Sequence, residues 1–292
     1  MDAKKIKLGI PKGSLQHSTL KIFKRAGFNV EIPERSYIVK IDDSEIECFL
    51  LRPQEIPKYI EEGRLDAGIS GEDWIQESRA KVVEVSDLKY AKQKMKKIRW
   101  VLAASQKSKI KTLKDLNGKT ISTEVVNLAR DYLKSKKIKA KVVFSWGATE
   151  VKPPKFSDAV IDLTETGISL KVHNLKILDT VFESSTIFIA NKKAMQNRWK
   201  KEKIEELGLL LDGAVEGEEM VGFFMNVHQQ ILKKVIKALP TMKKPTVTRM
   251  PATDWYDVFA AAPKEEVRDL MPRLKKMGCE GIVEFPLNKA VL

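Results

Sequence analysis

The sequence is poor in the residues that usually carry covalent and metal chemistry. It holds two cysteines, Cys48 and Cys279, and three histidines, His17, His173 and His228. Cysteines that far apart form neither a disulfide scaffold nor a zinc spacing, which points to reduced thiols in a cytoplasmic protein. Histidines with no neighbouring Cys or second His offer no metal site and no Ser-His pairing. No apolar run approaches the ~18 residues of a membrane span, and the start Met1-Asp2-Ala3-Lys4-Lys5 lacks an apolar signal core, so no membrane role is expected. Twelve prolines and fifteen glycines are too few for a collagen-like or low-complexity segment.

What is present is the composition of a folded chain. Apolar residues make up 43% and charged residues 32% of 292 positions, which excludes disorder and predicts two domains or three small ones. The 53 Lys and Arg exceed the 39 Asp and Glu by 14, and residues 89–141 alone carry 17 against 3. That segment has few aromatics (Tyr90, Trp100, Tyr132) and no nucleic-acid motif, so it reads as a solvated lysine-rich face and no nucleic-acid partner is expected. Phosphorylated substrates would still be drawn towards it.

Ile6–Ile10 alternates as a strand and breaks at Pro11-Lys12-Gly13-Ser14 into a helix that stops at Gly27. Strands over Tyr37–Ile41 and Glu45–Leu51, a helix over Glu55–Glu62, a buried strand within Asp66–Gly71 and a helix from Glu72 follow. This β/α alternation predicts an α/β fold with a largely parallel sheet. A second unit begins with the strand Ile98–Ala104, and the apolar stretch Lys176–Asn191 is able to return to the first. Lys192–Leu211 reads as a long charged amphipathic helix. The remainder, from Glu219, reads β-α-β-β-α-β, the ferredoxin-like order.

The strongest chemical signal is D-A-V-I-D-L-T-E-T-G-I-S (Asp158–Ser169), an apolar strand bearing two carboxylates, then a hydroxyl-rich turn and a glycine that open a helix. Backbone N–H groups at such a turn, the hydroxyls of Thr164, Thr166 and Ser169, and Gly167, which lets the chain approach an anion, suit a phosphate. Asp158 and Asp162 suit sugar hydroxyls, and the whole resembles a 5-phosphoribosyl-binding loop. Ordinary N-capping by Thr164 or Thr166 is the plainer alternative. Lys12 lies at the first strand-to-helix turn, where ligands collect in parallel sheets. Arg35 and Arg52 flank apolar strands and offer the planar fork that suits pyrophosphate oxygens, although surface ion pairs would use them equally well. Ser70-Gly71-Glu72-Asp73-Trp74 is a second candidate phosphate or base turn. Glu150 suits a ribose hydroxyl, a substrate-bound Mg2+ or a helix cap.

Seven segments in order resemble the ATP phosphoribosyltransferases: I-P-K-G-S-L (Ile10–Leu15), E-R-S-Y (Glu34–Tyr37), L-R-P-Q-E-I-P (Leu51–Pro57), D-A-G-I-S-G-E-D-W (Asp66–Trp74), S-W-G-A-T-E-V-K-P-P (Ser145–Pro154), D-A-V-I-D-L-T-E-T-G-I-S-L (Asp158–Leu170) and E-S-S-T-I-F-I-A-N (Glu183–Asn191). The end, G-C-E-G-I-V-E-F-P-L-N-K (Gly278–Lys289), is similar to the regulatory domain of that family's long form. The resemblance implies a two-lobe catalytic part like periplasmic binding proteins, with lobe I over residues 1–104 and 182–215 and lobe II over 105–181. A ferredoxin-like regulatory domain would span 216–292.

The implied reaction is attack of N1 of ATP on the anomeric carbon of phosphoribosyl pyrophosphate, with Mg2+ on the departing pyrophosphate. Asp158 and Asp162 would hold the ribose, and Thr164, Glu165, Thr166, Gly167, Ile168 and Ser169 the 5-phosphate. Lys12, Arg35 and Arg52 would act at the pyrophosphate and ATP phosphates, and Ser14, Ser70, Gly71 and Glu72 near the nucleotide. Ser14 stands where the family commonly has Arg. Asn226, Thr246 and Thr248 fall where relatives bind L-histidine, the inhibitor, and a homo-oligomer from dimer to hexamer is implied. Two other readings compete: a non-catalytic two-lobe binding module for an anionic ligand, and nucleic-acid binding through residues 89–141.

Overall fold

The computed structural model describes residues 4–33, 37–88, 98–240 and 244–291. The chain divides into two compact units, one running to Lys24 and from Phe28 to Gly208, the other from Leu209 onward with Arg25–Gly27. The expected boundary at residue 216 therefore moves into the preceding helix.

The larger unit holds two sheets. The first is built from β1 (Ile6–Pro11), β2 (Val30–Glu31), β3 (Ile38–Ile41), β4 (Ile46–Leu51), β5 (Ala67–Gly71) and β6 (Val83–Asp87). Helices α1 (Gln16–Ala26), α2 (Ile56–Glu61) and α3 (Glu72–Ser78) follow β1, β4 and β5. β1 runs parallel to both β4 and β5, the pairing that such helical crossovers permit. The second sheet has the order β11-β7-β10-β8-β9, from β7 (Ile98–Ser105), β8 (Thr120–Thr123), β9 (Lys141–Phe144), β10 (Ala159–Thr164) and β11 (Leu175–Ser184). Helix α4 (Val126–Ser135) follows β8, and the short α5 (Ile168–Val172) follows β10. Trp100, Leu102, Ile121, Leu128, Tyr132 and Ile161 pack into the core of this sheet. Strand β12 (Thr186–Ala190) then returns to the first sheet, completing the order β2-β3-β4-β1-β5-β12-β6.

Both sheets are mixed rather than largely parallel. β7 runs antiparallel to β10 and β11, and β12 antiparallel to β5 and β6. These are the strands by which the chain passes between sheets. Ile98–Ser105 lies inside the second sheet, so the strand expected to end lobe I belongs to lobe II. The two lobes are also joined by α3 and α4. Glu77 accepts the backbone N–H of Asn127 at 2.9 Å and of Leu128 at 3.0 Å, and Arg79 pairs with Asp131 at 3.2 Å.

Helix α6 (Arg198–Glu219) begins six residues later than expected and runs further. Asn191 accepts the N–H groups of Lys193 and Ala194, which turns the chain first, and Asn197 then accepts Lys200 N at the helix start. The smaller unit continues with β13 (Met220–His228), α7 (Gln229–Ala238), β14 (Thr246–Arg249), β15 (Trp255–Pro263), α8 (Lys264–Met277) and β16 (Glu280–Pro286). Its sheet order β14-β15-β13-β16, antiparallel throughout, is the ferredoxin-like arrangement. Phe223, Met225 and Val227 face a core shared with Val235, Val267 and Leu274. No helix among the described residues is long and apolar enough to cross a membrane.

Candidate active site

Parallel strands present their carboxyl ends to one cleft of about 330 Å³ in the larger unit. From the first sheet come Ser14 after β1, Pro53 and Gln54 after β4, and Gly71, Asp73 and Trp74 at the end of β5. From the second come Glu124 after β8, Gly147 to Glu150 after β9, and Asp162 and Ser169 around the end of β10.

The turn after β10 is locally self-organised. Thr164 Oγ1 accepts the N–H of Gly167 at 2.8 Å, so its hydroxyl closes the turn. Gly167 takes φ +77°, the left-handed region that favours glycine. Glu165, Thr166, Ile168 and Ser169 are exposed, and Ser169 donates to Glu150 Oε1 at 3.1 Å. Beneath them Glu124 Oε1 accepts Gly147 N at 3.0 Å, and the buried Ser145 bonds to Thr149 and receives Lys152 Nζ. Carboxylates, hydroxyls and a positive-φ turn thus meet at one rim.

Asp158 is not with them. It precedes β10, and a rise of about 3.3 Å per residue separates it from Asp162 by roughly 13 Å. Its carboxylate instead accepts Thr120 N at 2.9 Å and pairs with Lys119 at 3.4 Å, holding the start of β8. Only Asp162 of the acidic pair lines the cleft.

On the first-sheet side, Lys12 lies with its ammonium 4.3 Å from the centre of the Tyr37 ring, and the Arg52 guanidinium stands beside Gly13. Both follow strand ends adjoining Ser14 and Pro53, yet neither lines the cleft itself. Arg35 lies outside the described residues. Ser70 is buried and donates to the carbonyl of Pro53 at 2.7 Å, which braces the turn after β4. Glu72 N donates to the carbonyl of Ser185 at 3.0 Å.

Sequence reading missed Trp100 and Glu124, and held Asp73, Thr149 and Ser184 only as members of longer motifs with no role of their own. Asp73 is 1% exposed, with Trp100 Nε1 donating to Oδ2 at 2.7 Å and the Ser184 hydroxyl donating to Oδ1 at 2.9 Å. Burial pushes its carboxyl above the usual Asp value, against the pull of those two hydrogen bonds. Glu124 carried a usable signal, since it directly follows a parallel strand. Trp100 carried none, because an indole in an apolar run reads as core. The Cys48 thiol, buried and pushed up to about 12, has no thiolate chemistry to offer.

In the smaller unit, Thr248, Asp257 and Asn226 are direct cross-strand neighbours on β14, β15 and β13. Asn226 alternates with the core residues Met225 and Val227, which places this row on the face away from α7 and α8. Thr246 shares β14 two residues away.

The cleft between two α/β lobes, rimmed by carboxylates, hydroxyls and strand-end turns, is the polar ligand site of a two-lobe α/β protein. Family comparison narrows the class. The HisG model, described as ATP phosphoribosyltransferase, matches residues 52–213, and the HisG C-terminal domain model matches residues 218–289. The ATP phosphoribosyltransferase of Thermodesulfovibrio yellowstonii is 50% identical over 291 residues, covering 100% of both chains. That of Solibacter usitatus is 50% identical over 287 residues, 98% of this chain and 99% of the relative. A solved ATP phosphoribosyl transferase (HisG:HisZ) complex from Thermotoga maritima matches with TM-score 0.60 and 28% identity, over 71% of this chain and 98% of that one. The chain belongs to the ATP phosphoribosyltransferase family, the transferases that open histidine biosynthesis.

Proposed function

We propose that the cleft is where the phosphoribosyl group of phosphoribosyl pyrophosphate passes to N1 of ATP as pyrophosphate leaves. The observation that carries this reading is that Asp162 and Ser169, on either side of the turn after β10, line one cleft together with Gly71 at the end of β5. The 5-phosphate takes the exposed turn from Glu165 to Ser169, with Asp162 and Glu150 near the ribose. Asp158 drops out of that set. Lys12 and Arg52, joined by Arg35, serve the pyrophosphate and ATP phosphates from the first-sheet rim, and Ser14, Gly71 and Glu72 border the nucleotide. Because adenine N1 is a neutral nucleophile, alignment of two anions and stabilisation of charge on the leaving group supply the catalysis. Among the described residues no three His, Cys, Asp or Glu gather to hold a metal. A divalent ion would be carried by the substrate phosphates, with Glu150 beside it. We assign it as Mg2+, which would neutralise pyrophosphate charge. A non-catalytic binding module leaves the family match unexplained.

The ferredoxin-like domain is read as the seat of L-histidine inhibition through Asn226, Thr246 and Thr248, within a cytoplasmic homo-oligomer. Near-ultraviolet absorbance tests both parts. Mixing ATP, phosphoribosyl pyrophosphate and Mg2+ should raise absorbance on the long-wavelength side of the adenine band, and L-histidine should suppress the rise. No rise with folded protein refutes the transfer; a rise indifferent to histidine refutes the inhibitory domain alone.

A further inference from the structure

Among the described residues, Asp73 is the only carboxylate or basic side chain that is buried. It lies just past β5, in the first-sheet lobe, yet both of its oxygens are held by second-sheet strands. Trp100, which donates to Oδ2, sits on β7, the strand by which the chain enters the second sheet. Ser184, which donates to Oδ1, is the last residue of β11, by which the chain leaves it. The Ser184 oxygen in turn accepts Asp73 N at 3.1 Å. Trp74 meets Trp100 edge-on at 6.0 Å. Asp73, Trp74, Trp100 and Ser184 all line the cleft. A Cβ at residue 71 would stand 2.1 Å from Asp73 Oδ1, so the carboxylate can take this place only beside a glycine.

Burying a carboxylate is costly, and an apolar junction of the same size would cost less. An apolar junction would also slide, whereas two charge-assisted hydrogen bonds have direction and length. We infer that Asp73 is a positioning residue for the transfer reaction, tying the turn after β5 to both strands that join the lobes and so setting the distance across the cleft. The inference rests on the reading of this cleft as the transfer site. Gly71 acquires a second purpose: it makes room for the carboxylate as well as for a nucleotide.

The test compares Asp73→Ala, Asp73→Asn, Trp100→Phe and Ser184→Ala with the parent, using single-turnover rates at saturating substrates alongside KM for each substrate. Asp73→Ala should slow single turnover by about 10- to 100-fold while each KM moves less than about 3-fold, since misplacement on the ångström scale costs alignment. Asp73→Asn keeps an acceptor for Trp100 and supplies a donor for Ser184, and should recover to within about 3-fold of the parent. Trp100→Phe keeps the ring and removes one donor, so it decides the matter if Asp73→Ala does not fold; a loss of about 10-fold is expected. Folded Asp73→Ala and Trp100→Phe variants that both turn over within about twofold of the parent, or that change only KM, overturn the inference. Gly167→Val is the control for the cleft itself. If it is inactive while the Asp73 variants are fully active, only the positioning role fails. If it keeps the parent's activity, the cleft reading fails and the positioning role with it.

Discussion

Replacing Gly167 isolates what the turn after β10 requires. Its φ of +77° lies where alanine is strained by about 1–2 kcal/mol. An added Cβ would meet nothing nearer than Ile177 Cδ1 at 3.7 Å, ordinary contact, so strain of the backbone is the whole effect. In Gly167→Ala the strain can appear in two places. If the turn holds its shape, folding stability falls by about 1–2 kcal/mol. If the turn relaxes, affinity for phosphoribosyl pyrophosphate falls by the same free energy, about 5- to 30-fold. Urea unfolding and titration calorimetry on the same preparation should therefore give two losses that add to about 1–2 kcal/mol. Valine is β-branched and tolerates this region worse, so Gly167→Val must relax and lose affinity. Unchanged affinity in folded Gly167→Val would refute the assignment of this turn to a phosphate. No loss of either kind in the alanine variant would refute the strain itself.

Three further outcomes are expected. Asp158→Ala should lower stability by about 1 kcal/mol, because Thr120 N loses a partly exposed acceptor, while turnover per folded molecule stays at the parent's level; a selective loss of substrate affinity would return Asp158 to the site. Glu77→Ala should cost about 1–2 kcal/mol in urea by uncapping α4 at Asn127 and Leu128, and an unchanged midpoint would show that the interlobe contact contributes nothing. The third concerns pH. The Asp73 carboxyl titrates higher folded than unfolded, so its contribution is fully present below the unfolded Asp value and is lost as pH rises through the folded one. Asp73→Asn lacks that loss, so its stability relative to the parent should climb with pH and then level off; a difference independent of pH would contradict the direction of the shift.

Parts of the candidate site were legible from local pattern, and other parts were not. The turn chemistry of Thr164 and Gly167 depends on residues three apart and could be read directly. The pairing of Asp158 with Asp162 could not, because a spacing of four along a strand places two side chains on one face but at opposite ends of β10. Ser70 looked like a ligand contact in its motif, whereas its hydroxyl is engaged by Pro53, which is 17 residues away. The lobe boundary near residue 104 failed for a related reason: an alternating apolar strand does not state which sheet it will join.

By itself the sequence determined the order of elements, the terminal β-α-β-β-α-β unit, the hydroxyl-and-glycine turn and the family resemblance. The first three rest on periodicity and spacing within a few residues, and the resemblance on seven motifs in order along the chain. Tertiary structure decided which strands share a sheet, which strand ends meet at the cleft, and that Asp73 is buried. Asp73 lies 27 residues from Trp100 and 111 from Ser184, so neither contact leaves a local trace. Desolvation and long-range pairing are properties of the assembled chain, and they exist only after those distant segments have packed together.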